Sequence, residues 1–286
     1  MPISILEQPA VAVAATVLAI WQLAVAWRSL RRTTLAAPLF WLVVAVAAQA
    51  LCVGLHSNDR TTNLYLAFSA AVLLTTPGLA VLGAKRPQST AWQLIVAAWV
   101  GVMLMPVGRG LMLQSEPDVP MLVRVLIVGV LAVGLFNYLP TSYRLATVPA
   151  AAAFAASFAP WLFGEGALPS RQSAVWSLIG INAALLIALL IARRRPVAPP
   201  GIRRLWIDFR DAYGAAWALR VLERLNLTTN KPPTSCELRW SGQLDVPGDV
   251  DGSRVNREIE VERALKSLLR RFLSRDWIAH RQSTDD

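Results

Sequence analysis

The sequence predicts an all-α polytopic membrane protein with about seven transmembrane helices, followed by a small α+β (helix–strand–helix) C-terminal cytoplasmic domain. Three observations predict it. First, 55% of the 286 residues are hydrophobic and 16% are charged, where a soluble domain carries about 25% charge. Second, the charge is unevenly placed: residues 1–192 hold ten Lys/Arg and five Asp/Glu, and residues 193–286 hold eighteen and thirteen. Third, the apolar two-thirds breaks into runs near the length that a bilayer core demands, about 20 residues in a helix. The boundary falls at Arg193-Arg194-Arg195, giving a transmembrane region over 1–195 and a cytoplasmic domain over 196–286.

Seven stretches qualify as spans, at roughly 10–27, 35–55, 64–84, 91–108, 120–139, 145–163 and 174–192. Polar breaks separate them: Arg28, Arg31 and Arg32 after the first, His56, Asn58, Asp59 and Arg60 after the second, Lys85, Arg86 and Pro87 after the third, and Gly164-Glu165-Gly166 after the sixth. Backbone in lipid must satisfy its own hydrogen bonds, which makes each run a helix. The alternating segments of about 10 residues that a membrane β-barrel needs are absent. Trp27, Tyr65, Trp92, Tyr138 and Trp161 stand near span ends, as interfacial anchors do.

Lys/Arg asymmetry sets the expected orientation. With the N-terminus outside, the inner loops and the start of the tail carry Arg28, Arg31, Arg32, Lys85, Arg86, Arg144 and Arg193-Arg194-Arg195, against Arg60, Arg109 and Arg171 outside. This places the chain in the cell (inner) membrane, N-out and C-in. Ala24-Val25-Ala26 resembles a signal-peptide cleavage site, but residues 1–9 lack the basic residues such a peptide requires. Pro38, Pro77, Pro106, Pro149 and Pro160 fall in or beside spans. Ordinary tolerance of proline in membrane helices is weighed here against helices broken around a binding site.

The tail opens on a stiff Pro-Val-Ala-Pro-Pro-Gly linker over 196–201. Residues 202–226 then read as a helix with Ile202, Leu205, Trp206, Phe209, Tyr213, Ala216 and Trp217 on one stripe and Arg203, Arg204, Asp208, Arg210 and Asp211 opposite. The stripe drifts after Trp217, which a change of packing partner midway would explain. Residues 236–240 read as a short strand, 243–253 as a Gly/Asp loop, and 254–280 as a second helix. The aromatic face of Trp206, Phe209, Tyr213 and Trp217 is a candidate docking surface for a partner or the membrane, weighed evenly against a core-facing helix of the small domain.

Motifs that would carry chemistry are scarce. No Walker loop, GxGxxG, GxSxG or HExxH occurs. A retinal protein needs a Schiff-base lysine in the last span, and the lysines here are Lys85, Lys231 and Lys266. The net charge of +10 is mixed with acids through the tail, so no nucleic-acid partner is expected. Cys52 and His56 lie four apart at the end of the second span. With Met103 and Met112 on the same outer side they form a thiolate–imidazole–thioether set suited to Cu(I). Against that, methionine is a common apolar filler. Other cofactors are not expected. Arg109, Arg124, Glu116 and Asp118 make a charged cluster that would bind a small anionic substrate or pair within itself.

Two functions follow as expectations. One is a non-catalytic membrane protein: a scaffold, an assembly factor or an accessory subunit, partnered by the lipid bilayer and by other membrane proteins or further copies of itself. The other is a transporter or permease for a small solute, an anion included, with its site near Arg109 and Arg124.

Overall fold

The computed structural model describes residues 8–55, 57–86, 88–163, 169–194, 199, 201–229, 236–245 and 253–281. Seven helical rods are long and apolar enough to cross a membrane. They are α1 (Gln8–Leu30), α2 (Ala36–Gly54), a third rod of α3 (Arg60–Leu74) and α4 (Thr76–Leu82), a fourth of α5 (Ser89–Met103) and α6 (Met105–Leu113), α7 (Met121–Tyr138), α8 (Arg144–Leu162) and α9 (Ser170–Arg194). The expected spans and the observed rods agree to within a few residues, because each apolar run is bounded by charge or by loop residues. The linker 196–201 lies mostly outside the described residues, as do His56 and Gly164-Glu165-Gly166.

Prolines divide two rods. Pro77 and Pro106 each stand in the first turn of the second half, after joints at Thr75 and Leu104. A proline lacks the N–H that would continue the ladder, but fits a first turn well. Indole N–H groups brace the first joint: Trp99 donates to Thr75 Oγ1 at 2.9 Å, and Trp92 donates to the Leu79 carbonyl at 2.8 Å. Gly83 leaves room for the Trp92 ring, whose Cγ would lie 1.9 Å from a Cβ there. The α3 start is capped by Asp59, whose carboxylate accepts from the Thr62 hydroxyl and from the amides of Thr61 and Thr62. Those bonds, the Thr62 hydroxyl foremost, hold its pKa below the ordinary carboxylate value.

Helices α1, α2, α3, α8 and α9 supply most of the bundle core, built on Phe68, Phe158, Leu178, Val53 and Val46. The α8–α9 contact is close because Gly180 faces Ala153: a Cβ at 180 would come within 2.8 Å of the Ala153 methyl. Small residues let membrane helices approach in this way. Polar groups inside the bundle bond across helices. Gln49 donates to Ser157 at 2.7 Å, and Asn182 donates to the Ala15 carbonyl at 2.9 Å. Gln22, fully buried, donates to the Asn182 carbonyl at 3.3 Å.

The tail continues with α10 (Ile202–Thr229), β1 (Glu237–Leu238), β2 (Leu244–Asp245), α11 (Ser253–Leu269) and α12 (Arg275–His280). β1 and β2 pair antiparallel, so part of the expected Gly/Asp loop is strand. The expected helix over 254–280 breaks at 270–274, where the amides close a last turn on residues 266–269 while the Arg271 and Phe272 carbonyls accept from the bundle's Arg86 and Thr34 amides. Ser274 recaps it by accepting from the Trp277 amide.

Candidate functional sites at the two faces of the bundle

The rods alternate in direction, so the loops after α1, α4 and α7 share one face with the tail. The N-terminal end of α1 and the loops after α2, α6 and α8 share the other.

At the tail face, the four aromatics expected to dock a partner or the membrane are packed inside the molecule. Trp206, Phe209 and Tyr213 are fully buried and Trp217 nearly so, in one core with Leu35 before α2, Val81 near the end of α4, Ala84 just after it, and Leu265, Leu269 and Phe272 of the tail. Their partner is the chain itself. The physical reason is that the loops after α1 and α4 carry their own apolar residues, which bury this face before any outside surface meets it. Phe272 is the hub, with Phe209, Tyr213 and Trp217 rings 5.1–5.3 Å away.

Hydrogen bonds fix the contact. Thr33 and Leu273 form an antiparallel bridge. The Thr34 amide donates to the Phe272 carbonyl at 3.1 Å, and the Arg86 amide donates to Arg271 at 2.8 Å. The Tyr213 hydroxyl donates to the Phe272 carbonyl at 3.0 Å and meets Thr34 Oγ1 at 3.0 Å. Burial, partly offset by its hydroxyl partners, pushes its pKa up to about 12. Trp217 donates its indole N–H to the Val81 carbonyl at 2.9 Å.

The drift in the α10 stripe has a definite cause. Gly214 takes φ +76°, breaking the helix in two. The Asn137 side chain, from the end of α7, occupies the gap: its Oδ1 accepts from the Ala216 amide at 2.8 Å. Asn137 thus caps the second half of α10 from another helix, the role a local Asn or Asp usually fills. A Cβ on residue 214 would meet the Asn137 amide at 2.3 Å. Arg210 and Asp211, expected on the solvated face, are buried as a pair at 2.8 Å. Asp211 also accepts from the Ser142 amide at 3.3 Å, and Arg210 donates to the Trp240 carbonyl at 3.0 Å.

At the opposite face, a cavity of about 390 Å³ is lined by Arg60, Leu64, Glu116, Pro117, Asp118, Val119, Arg124, Pro160 and Trp161. Three of the four charged candidates meet there. Arg109 is not among the lining residues, and Arg60, counted in sequence only as a loop charge, takes its place. Arg60 faces Glu116 at 3.4 Å, with both side chains more than half exposed. Arg124 is steadied by donating its Nε to the Val119 carbonyl at 3.1 Å rather than by an ion pair with Asp118. Trp161 forms part of the wall and packs on Phe68 at 5.1 Å.

Two members of the soft metal set share the bundle core, and the other two lie elsewhere or outside the described residues. Cys52 and Met103 are buried in the bundle core, Met112 is 87% exposed, and His56 lies outside the described residues. Met112 follows the Leu104 joint on a short half-helix, which turns it away from the core. Among the described residues no three His, Cys, Asp or Glu side chains gather as a metal site. Compared with known proteins, the chain matches no family model, no curated protein and no solved structure.

Proposed function

We propose that this chain is a non-catalytic protein of the cell (inner) membrane, acting as a scaffold, assembly factor or accessory subunit of a membrane complex. In this reading the N-terminus is outside, and the tail is a small helix–strand–helix domain in the cytoplasm. The excess of Lys/Arg in the loops of the tail face supports that orientation.

One observation carries the reading: packing in the bundle is lopsided. The tail's aromatic face is used internally, and α1, α2, α3, α8 and α9 share the core. By contrast α7 has 11% of its most apolar stretch buried, less than any of the other six rods. That flank presents Val125, Val128, Val133 and Phe136, with Gly129 leaving open space beside them. It suits close approach by a helix of another membrane protein or a further copy.

Photo-crosslinking tests this reading. A crosslinker at Val128 or Val133 is expected to give one stoichiometric adduct in native membranes, while one at Val17 on α1 gives none. Lipid-only products at all three positions would sink it. A second reading, a carrier for a small anionic solute, is favoured by the cavity of Arg60, Asp118 and Arg124. It predicts that the purified chain, free of partner, gains thermal stability from a small anion.

A further inference from the structure

Folding brings together cations that the sequence keeps far apart. The backbone bonds Thr33–Leu273, Thr34–Phe272 and Arg86–Arg271 stitch three segments into one seam. Along it stand Arg31, Arg32, Arg86, Arg270, Arg271 and Arg275, all exposed, with Lys85 half-buried beside Trp217. Among the described residues, Asp276 meets Arg32 at 3.7 Å, and no ion pair engages the other five arginines. Two of the three segments are span-end loops: Leu30 ends α1, Ala36 starts α2, Leu82 ends α4 and Ser89 starts α5. Exposed Trp27, one turn before the end of α1, marks the headgroup level. The seam therefore lies in the layer where phosphates of the surrounding bilayer are concentrated.

We infer that this seam is a binding site for the headgroups of anionic phospholipids, formed jointly by the loops after α1 and α4 and by the 270s of the tail. Clusters of four to eight Lys/Arg at span ends attract anionic lipid. Arginine adds paired N–H donors that match phosphate oxygens. The ordinary bias of cations toward one loop side accounts for Arg31, Arg32, Lys85 and Arg86. It does not account for Arg270, Arg271 and Arg275, which come from the far end of the chain and need no membrane contact to follow that rule. The site does not depend on which compartment the tail occupies, because it reads the leaflet that the tail face lines.

The test uses the full chain in a neutral detergent, with the thermal unfolding midpoint followed as dioleoyl phosphatidylglycerol is titrated in. Phosphatidylglycerol is expected to raise the midpoint, and dioleoyl phosphatidylcholine to leave it unchanged. Replacing Arg31, Arg86 and Arg271 with Gln should shift half-saturation to about a hundredfold more lipid, from roughly fivefold per cation removed. Replacing the same three with Lys should keep most of the response. The control carries Arg60→Gln, Arg109→Gln and Arg124→Gln on the opposite face and should respond like the native chain. Equal loss in that control, or an undiminished response in the seam variant, overturns the site. So does an equal rise with inorganic phosphate or with polyuridylate that the seam variant loses, which would mean a free anion or a soluble polyanion rather than lipid.

Discussion

At the tail face, Asp211 is 1% exposed and holds Arg210 at 2.8 Å, with the Ser142 amide donating to the same carboxylate. At the opposite face, Glu116 meets Arg60 at 3.4 Å with more than half of each side chain in water. Both are acid–arginine contacts within one molecule. The first is a buried network in which Arg210 also donates to the Trp240 carbonyl. The second is a loose rim around an open cavity. Burial, not residue type, separates a contact that holds the fold from one left available for something else. The same carboxylate–guanidinium chemistry is decisive when dry and nearly neutral when wet.

Substitutions can break or sharpen that contrast. The largest effect is expected from Asp211→Ala, which strands the Arg210 charge in a dry site and should cost about 3–5 kcal/mol. Thermal unfolding of the detergent-solubilised chain would read it, and a loss below about 1 kcal/mol would place the pair in a wetter setting than described. Next comes Gly214→Ala, which forces a side chain into φ +76° and into the Asn137 amide. About 3 kcal/mol is expected from backbone strain and the lost cap. Combining it with Asn137→Ala should recover part of the loss, so the two changes fall short of additive.

Tyr213→Phe should cost about 1–2 kcal/mol by leaving the Thr34 and Phe272 groups short of a partner. Its pH dependence has a definite sign. The folded pKa is raised to about 12 from an ordinary value near 10, so the unfolded chain loses this proton first. The stability linked to it is whole below about pH 10 and is lost as pH climbs toward 12. Tail protection from protease should fall over that window, with a shallower fall in Tyr213→Phe. The smallest effect belongs to the opposite face: Glu116→Gln should change stability by less than about 0.5 kcal/mol and show even less in high salt.

The seven rods were legible in sequence because hydrophobic length is a one-dimensional property: about 20 apolar residues are enough to specify a span. Pro77 and Pro106 were visible as candidates for breaks, but where each joint falls depends on the tryptophans that brace it. The α10 stripe and its drift were equally plain, yet the drift's cause, Asn137, lies 77 residues earlier than Gly214 and carries no local signal. The break at 270–274 was hidden for the same reason. Arg270-Arg271-Phe272-Leu273 contains neither glycine nor proline, and it leaves the helix because Thr33, Thr34 and Arg86 offer its backbone other partners. Of the candidate site, Glu116, Asp118 and Arg124 were found through their nearness in sequence. Arg60 was missed as a member because it reaches the cavity from another helix. Arg210 and Asp211 were misplaced because helical periodicity assigns a face but not what will cover it.

The bridge between Thr33 and Leu273 also sets a schedule for biogenesis. When the seventh span leaves the ribosome, Leu35, Val81 and Ala84 have been synthesised for more than a hundred residues and still face water, since the residues that cover them begin at Leu205 and end at Ile278. The membrane part is therefore finished only once the residues up to Ile278 have been made, and a chain stopped after Leu269 would insert all seven spans yet display a greasy, arginine-fringed platform. Pulse-labelled cells should degrade that shortened product faster than the full chain, because Phe272, Leu273, Trp277 and Ile278 complete the cover over that platform.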